Sequence, residues 1–268
     1  MRQLYSWPVA LADHYDGFLI DLDGVVWLGH ELIEGSAGAL EALSEAGKPV
    51  AFVTNSPRIS PAEQARVMRD QGVEADASNI VTAGSTLLSL ALDELGAGGR
   101  VFATGTPGFL EQVVEAGLEP VDSAEWQSAA GVLVTGHPRF NYDELKAASM
   151  AARGGVFFAA TGRDPTMPMA DGLWPGTGSI LAAIETASGR RARIAGKPEK
   201  PIFLAGLEVL GLPDGAKVAM IGDRLDTDVG GAQAAGLDGI LVSGNDSIPP
   251  GTEIAPDHEI ESLAHLIL

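Results

Sequence analysis

Short runs of β-favouring residues alternate with longer helical patterns, and this alternation limits the fold more than any other feature of the sequence. The predicted strands cover residues 17–21, 49–54, 100–104, 132–135, 156–160, 193–195, 218–222 and 239–242. The predicted helices cover residues 36–46, 61–71, 107–116, 142–152, 178–188, 201–210 and 227–235. Alternation of this kind predicts parallel sheets covered by helices, with the functional loops at the carboxyl ends of the strands.

A change of pattern near residue 96 indicates two α/β units. The first unit is predicted to end with a helical segment over 82–95 and the glycine-rich stretch 96–99. The second unit runs to about Arg190, and the pattern of the first unit resumes with the strand at 193–195. This organisation is consistent with an inserted domain.

The charge balance and the absence of cysteine narrow the function classes. A formal charge of −19 repels the phosphate backbone, and the densest basic run, 190–193, is too short to form a basic patch, so we expect no nucleic-acid partner. Because the chain has no cysteine, it has no disulfides and no thiolate ligands, which fits a reducing cytoplasm. No apolar run reaches the roughly 18 residues of a membrane span, and residues 1–15 lack the apolar core of a signal peptide. The sequence therefore predicts a soluble cytoplasmic protein.

An apolar strand that ends in two aspartates is the sharpest local feature. Asp21 and Asp23 follow the run 17–20, and Gly24 comes next. Side chains at i and i+2 of an extended chain point to the same side, so the two carboxylates would repel each other unless a cation such as Mg²⁺ lay between them. The alternative is an ordinary Asp-Gly turn at a strand end.

A second buried-type strand, 218–222, also ends in carboxylates. Asp223, Asp226 and Asp228 follow it within six residues. Asp226 is interpreted as a cap for the following helix, which leaves Asp223 and Asp228 as candidate metal ligands.

Two further strand ends carry groups that suit an anion. Thr54 and Asn55 end the strand at 49–54 just before a helix, where hydroxyl and backbone N–H groups converge. Lys197 stands between Gly196 and Pro198 at another strand end. The alternatives are a helix N-cap for the first pair and a solvated surface lysine for Lys197.

The order of these four segments resembles the haloacid-dehalogenase-like superfamily, whose four motifs follow one another in this way. The resemblance covers nearly the whole chain and is closest to the group with a class IIA cap, which includes NagD-type, pyridoxal, phosphoglycolate and glycerol phosphate phosphatases. It implies an α/β fold with a Rossmann-like parallel-sheet core and an inserted α/β cap domain. The implied boundaries are 1–83 and 187–268 for the catalytic core, and 84–186 for the cap.

The resemblance also implies a role for each motif residue. Asp21 corresponds to the nucleophile that forms an aspartyl-phosphate, and Asp23 to the general acid and base. Mg²⁺ would be bound by Asp21, the backbone carbonyl of Asp23, and Asp223, with Asp228 ligating it directly or through water. The residues implied to hold the transferring phosphoryl group are Thr54, Asn55 and Lys197.

The segment 161–169 corresponds to the specificity loop of the family's cap. It has Gly162 where asparagine is common, and Met167 where a histidine would contact the ring of pyridoxal phosphate. Arg163, Asp164 and Met167 are the candidate specificity residues. Arg163 is a candidate for binding a substrate carboxylate, and its alternative role is that of an exposed structural arginine.

The predicted activity is the Mg²⁺-dependent hydrolysis of a small phosphorylated metabolite, of the phosphoglycolate, glycerol phosphate, pyridoxal phosphate or p-nitrophenyl phosphate class. The alternatives are a phosphotransferase or mutase acting on sugar phosphates, and a non-catalytic sensor of phosphorylated metabolites. Asp23 argues against dehalogenation, because a halide leaves without a proton, and against the sensor, because a binding protein needs no general acid. A homodimer through the cap is a further implication of the resemblance.

Overall fold

The computed structural model describes residues 10–29, 31–169, 171–243 and 253–267. Its helices are α1 (Ser36–Glu45), α2 (Pro61–Asp70), α3 (Ala83–Leu95), α4 (Pro107–Glu115), α5 (Tyr142–Arg153), α6 (Thr177–Ser188), α7 (Lys200–Leu210) and α8 (Gly230–Ala235). Its strands are β1 (Gly17–Ile20), β2 (Trp27–Leu28), β3 (Glu31–Leu32), β4 (Val50–Thr54), β5 (Ile80–Thr82), β6 (Arg100–Thr104), β7 (Glu119–Pro120), β8 (Gly131–Val134), β9 (Phe157–Ala160), β10 (Thr166–Met169), β11 (Gly172–Pro175), β12 (Arg193–Ile194), β13 (Val218–Gly222), β14 (Asp238–Val242) and β15 (His258–Ile260). A π-helical turn, Leu225–Val229, precedes α8, so the helix predicted at 227–235 begins as a π-helix.

Contacts between Cα atoms divide the chain into two compact units. The first unit comprises Met1–Val53, Arg66–Ile80 and Gly206–Leu268. The second unit comprises Thr54–Ala65 and Val81–Ala205. The assignment of residues 84–186 to a cap domain stays a prediction.

The strands β15-β14-β13-β1-β4, which are neighbours in this order in a six-stranded sheet, form the centre of the first unit. Their pairings β1–β13, β1–β4, β13–β14 and β14–β15 are parallel. The central strands are fully buried, as shown by Phe18, Ile20, Met220 and Ile221. Continuous apolar runs of this kind are typical of parallel strands that are covered on both faces. The strands β1 and β13 therefore end at the same edge of the sheet.

A five-stranded parallel sheet with the order β12-β9-β8-β6-β7 forms the centre of the second unit. Side chains alternate between its two faces, as expected for strands. Val132 and Val134 pack with α5 and α6, whereas Leu133 between them packs with α3 and α4. Helices thus cover both faces of this sheet. The antiparallel hairpin β10–β11 extends from the same unit.

The alternation of strands and helices, and hence the α/β parallel-sheet fold, is confirmed. Residues 193–195 were expected to resume the pattern of the first unit. That expectation was wrong with respect to the sheet that these residues join. These residues form β12, which pairs with β9 in the five-stranded sheet. A strand of two residues carries no signal of its own that could select one sheet over another, so long-range pairing decided its place.

Candidate active site

Three carboxylates from two neighbouring strand ends form a cluster in the first unit. One oxygen from each of Asp21, Asp223 and Asp228 lies within 4.8 Å of the other two. Asp21 directly follows β1 and Asp223 directly follows β13, and β1 pairs in parallel with β13. The prediction that Asp21 and Asp223 lie near one another at the same sheet edge therefore agrees with the geometry.

Asp228 reaches the cluster because the π-helical turn brings the chain back towards the end of β13. It is fully buried, and one of its carboxylate oxygens accepts the backbone N–H of Arg224 at 3.0 Å. A Cβ atom at Gly222 would lie 2.2 Å from the Cβ and Cγ atoms of Asp228. Only glycine at 222 lets this carboxylate lie so close to the strand, a requirement that the sequence pattern alone did not reveal.

Asp223 lies against the turn that follows β1. Gly24 has a φ of 81°, and a Cβ atom there would lie 2.2 Å from Oδ2 of Asp223. Both the positive φ and the close approach require glycine at this position. The Asp-Gly turn that was the alternative reading of this segment is thus present, and it also makes room for Asp223.

The carboxylate cluster fits a hard divalent cation. Three carboxylate oxygens at this separation repel one another strongly, and two of the residues, Asp21 and Asp228, are buried. Oxygen ligands of this kind suit Mg²⁺. Asp226 lies outside the cluster, where its carboxylate pairs with Arg224 at 3.3 Å and accepts the N–H of Thr227 at 2.9 Å.

Local hydrogen bonds orient the first two aspartates. The backbone N–H of Leu22 donates to Oδ1 of Asp21 at 2.8 Å. The indole N–H of Trp27 donates to Oδ1 of Asp23 at 3.0 Å. Asp23 is exposed and is not part of the carboxylate cluster. One oxygen of Asp23 is therefore held by the indole, while the carboxyl group as a whole remains open to solvent.

Two of the residues predicted to bind phosphate, Asn55 and Lys197, are connected to each other within the second unit. The side-chain Nδ2 of Asn55 donates to the backbone carbonyl of Lys197 at 3.0 Å, and the backbone N–H of Lys197 donates to Oδ1 of Asn55 at 2.7 Å. Thr54 is buried, and its hydroxyl oxygen accepts the N–H of Ser56 at 3.1 Å. Lys197 is only 3% exposed, which argues against the solvated surface lysine of the alternative interpretation.

The three predicted specificity residues lie in the second unit, and each has different contacts. Arg163 makes two hydrogen bonds to the carboxylate of Glu185, at 2.9 and 2.8 Å. The backbone carbonyl of Asp164 accepts the N–H of Gly178 at 2.9 Å. Met167 lies on β10, where its sulfur contacts the guanidinium of Arg58. The pairing with Glu185 favours a structural role for Arg163, which was the alternative for this residue.

Glu185 is a buried carboxylate that the sequence analysis missed. Burial raises its pKa, but hydrogen bonds from Arg163, the N–H of Ala192 and Arg191 outweigh that effect and hold the pKa at about 2. The signal was available, because Glu185 is the only charged residue of α6 and follows the buried Leu181 by four positions. A charge on the apolar face of a helix requires partners.

A parallel α/β sheet whose adjacent strands end in clustered carboxylates is typical of metal-dependent α/β enzymes. A family model described as haloacid dehalogenase-like hydrolase matches residues 18–119, and a second one, described as HAD-hydrolase-like, matches residues 194–266. The chain belongs to the haloacid-dehalogenase-like hydrolase family.

Several relatives of this chain are phosphatases. D-glycerol 3-phosphate phosphatase of Mycobacterium tuberculosis is 35% identical over 237 residues, which are 87% of this chain and 64% of that protein. This chain thus spans less than two thirds of the length of that relative. An acid sugar phosphatase of Staphylococcus aureus (strain USA300) is 31% identical over 233 residues, which are 85% of this chain and 86% of that protein. The predicted family and the predicted enzyme class, a phosphatase, are confirmed by these relationships.

Solved structures of phosphatases are also similar to this chain. A crystal structure of glycerol phosphate phosphatase from Mycobacterium tuberculosis in complex with magnesium matches with a TM-score of 0.85 and 31% identity, over 97% of this chain and 78% of that one. A 4-nitrophenylphosphatase from Thermotoga maritima matches with a TM-score of 0.85 and 32% identity, over 96% and 97% of the two chains. The magnesium complex of the first relative agrees with the predicted cofactor.

No helix among the described residues is both long and apolar enough to cross a membrane.

Proposed function

We propose that this protein is a Mg²⁺-dependent phosphomonoesterase that hydrolyses small phosphorylated metabolites through an aspartyl-phosphate on Asp21. The observation that carries this proposal is the cluster of Asp21, Asp223 and Asp228 at the ends of β1 and β13. The same three carboxylates would hold Mg²⁺, together with the backbone carbonyl of Asp23. Bound Mg²⁺ supplies positive charge that offsets the charge of the phosphoryl oxygens.

Asp21 is suited to act as the nucleophile. The N–H of Leu22 holds Oδ1 of its carboxylate, which fixes the orientation of the group. An oxygen of Asp21 attacks phosphorus in line, a P–O bond to Asp21 forms, and the P–O bond to the leaving alcohol breaks. The product of this step is an aspartyl-phosphate and an alkoxide that requires a proton.

Asp23 is suited to supply that proton. Because Trp27 donates to Oδ1 of Asp23, the other oxygen, Oδ2, is the one that carries and releases the proton. The resulting carboxylate then takes a proton from the water that attacks phosphorus in the second step, and phosphate leaves from Asp21. One residue thus serves as acid in the first step and as base in the second.

Thr54, Asn55 and Lys197 are proposed to position the phosphoryl group. The two hydrogen bonds between Asn55 and Lys197 support this role, because they join two segments that are 142 residues apart in the sequence. Charge stabilisation and positioning dominate phosphoryl transfer, so a buried lysine suits the task. The positive charge of Lys197 and of the metal offers a local attraction for an anion in a chain of net charge −19.

The test is phosphate release from p-nitrophenyl phosphate and glycerol 3-phosphate by the wild type, by Asp21→Asn and by Asp226→Asn. We expect Asp21→Asn to abolish turnover while circular dichroism shows an intact fold. Asp226→Asn removes a neighbouring carboxylate outside the cluster and should retain wild-type turnover. The loss of a nucleophile should leave at most roughly a few per cent of wild-type turnover. Turnover by Asp21→Asn above that level would contradict the assignment of Asp21 as the nucleophile. Adding sugar acceptors separates hydrolysis from phosphoryl transfer, because a transferase would release less free phosphate.

We further propose a cytoplasmic location, which the absence of cysteine supports. A homodimer through the cap stays a prediction from the resemblance, and light scattering coupled to gel filtration tests it directly.

A further inference from the structure

Arg58 connects the segment proposed to bind phosphate with the hairpin that contains Met167. We propose that Arg58 binds a carboxylate at the end of the substrate opposite the phosphate, so that the preferred substrates are phosphate monoesters with an acidic tail. This inference rests on the proposed phosphatase function. It concerns the part of the substrate that takes no part in the reaction.

The first argument is the position of Arg58 in the chain. Arg58 follows Asn55 by three residues, so their Cα atoms are at most about 11 Å apart. Asn55 is hydrogen-bonded in both directions to the backbone of Lys197. A small metabolite whose phosphate is bound by Asn55 and Lys197 therefore has its other end within the range of the Arg58 side chain.

The second argument is the set of partners of the Arg58 guanidinium. Within the described parts of the chain, this exposed group contacts two sulfur atoms, those of Met167 and Met169, and forms no ion pair. Thioether sulfur is a weak acceptor, whereas a guanidinium offers five N–H donors. A carboxylate can accept two of these donors at once, in a charge-assisted bidentate pair.

The third argument is that the other candidate arginine is already engaged. Arg163 makes two hydrogen bonds to the carboxylate of Glu185 and a third, at 3.3 Å, to the backbone carbonyl of Ala192. A substrate carboxylate would have to displace Glu185, whose low pKa reports a strongly stabilised anion. The carboxylate-binding role considered for Arg163 is therefore better filled by Arg58.

The flexibility of the two methionines fits this assignment. Met167 and Met169 are both on β10 and are adjacent on one face of the hairpin, because side chains two apart in a strand point the same way. Methionine adapts its shape to irregular surroundings. The two side chains can therefore support the guanidinium without competing with a substrate for its N–H groups.

The experiment compares 3-phosphoglycerate with glycerol 3-phosphate, which differ only in having a carboxylate in place of a hydroxymethyl group. The ratio of their kcat/KM values is measured for the wild type, Arg58→Gln, Arg58→Lys and Arg66→Gln. Arg66 is an exposed arginine of α2 that pairs with Asp70, so Arg66→Gln controls for the loss of one positive charge. p-Nitrophenyl phosphate, which has no acidic tail, serves as the reference substrate.

We expect the wild type to favour 3-phosphoglycerate. Arg58→Gln should lower kcat/KM for 3-phosphoglycerate roughly tenfold or more, mainly through KM, as expected for the loss of charge-assisted hydrogen bonds. Its activity on glycerol 3-phosphate and p-nitrophenyl phosphate should stay at the wild-type level. Arg58→Lys should restore part of the preference, because it keeps the charge but loses the bidentate geometry, and Arg66→Gln should leave the ratio unchanged.

Two results would overturn the inference. One is a wild type that prefers glycerol 3-phosphate, and the other is an Arg58→Gln variant that loses activity equally on all three substrates or on none. Binding of 3-phosphoglycerate and glycerol 3-phosphate by calorimetry, in an Asp21→Asn background with and without Arg58→Gln, gives the same comparison without turnover. Failure of the phosphatase proposal would appear as a wild type that releases no phosphate from any substrate, whereas the calorimetry would still decide the role of Arg58.

Discussion

Replacing Glu185 with glutamine removes the acceptor at the centre of a buried network while keeping the size of the side chain. Each carboxylate oxygen of Glu185 accepts two hydrogen bonds, with Oε1 serving Arg163 and the N–H of Ala192, and Oε2 serving Arg163 and Arg191. The glutamine amide nitrogen cannot accept a hydrogen bond, so two donors lose their partner. The substitution should therefore destabilise the second unit.

The size of this destabilisation follows from the pKa shift of Glu185 and from the exposure of its two arginine partners. The shift of the Glu185 pKa from 4.5 to about 2 corresponds to roughly 3 kcal/mol, which is an upper value. The side chain of Glu185 is only 6% exposed, but those of Arg163 and Arg191 are 42% and 82% exposed, so water can replace part of what they lose. We therefore expect Glu185→Gln to lower the free energy of unfolding by about 2 kcal/mol.

The pH dependence gives a second, independent signature. Because the folded-state pKa of Glu185 is lowered, its contribution is fully present above the unfolded value of 4.5 and is lost as the pH falls towards 2. Glutamine does not titrate. The difference in unfolding free energy between wild type and Glu185→Gln should be constant above about pH 5.5 and should shrink below pH 4.5, as expected from linkage.

Urea unfolding at several pH values measures this difference, and hydrogen exchange of residues 161–165 and 190–192 locates it. The control is Glu125→Gln, because Glu125 pairs with Arg100 at 3.6 Å with both side chains largely exposed. Such a pair contributes less than about 1 kcal/mol. Equal urea midpoints for Glu185→Gln and Glu125→Gln at pH 7 would refute the reasoning. So would a difference in unfolding free energy between wild type and Glu185→Gln that is the same at pH 3 as at pH 7.

Three further predictions concern the site itself. Gly222→Ala should weaken Mg²⁺ binding roughly tenfold or more, since the new Cβ would displace the Asp228 carboxylate. Titration of the activity with Mg²⁺ measures this affinity. The control is Gly38→Ala, which should leave the affinity unchanged because the space around its Cβ is open. Asn55→Ala should raise KM for p-nitrophenyl phosphate, because Lys197 loses both hydrogen bonds that hold its backbone; an unchanged KM would count against that role. EDTA should remove activity and added Mg²⁺ should restore it, whereas turnover indifferent to chelation would argue against the carboxylate cluster as a metal site.

Local patterns were sufficient to predict most of the secondary structure. The strands at 100–104 and 218–222 were predicted with the bounds that the structure shows, because each is a compact run of β-favouring residues next to a polar or glycine-rich boundary. The short strand β5 was missed, since its last residue falls in the predicted helical segment at 82–95 and its first two residues fall in the loop before it. The hairpin β10–β11 was missed as well, because its prolines and glycine interrupt the alternation that identifies a strand.

The cluster of carboxylates was largely predictable from sequence because of a general property of parallel sheets. Adjacent parallel strands end at one edge, so Asp21 and Asp223 had to lie near each other once β1 and β13 were paired. The burial of Asp228 was harder to predict, since it depends on a π-helical turn and on the absence of a side chain at Gly222. Neither feature has a periodicity that a sequence pattern would show.

The sequence by itself determined the alternation of strands and helices, the order of the motifs and the chemical nature of the groups at the strand ends. Only the tertiary structure decided which partner each charged side chain has. Arg163 pairs with a glutamate 22 residues away, and Arg58 contacts a methionine 109 residues away. The physical reason is that backbone preferences act over a few neighbouring residues, whereas the partner of a long charged side chain depends on which distant segments the packed core brings together.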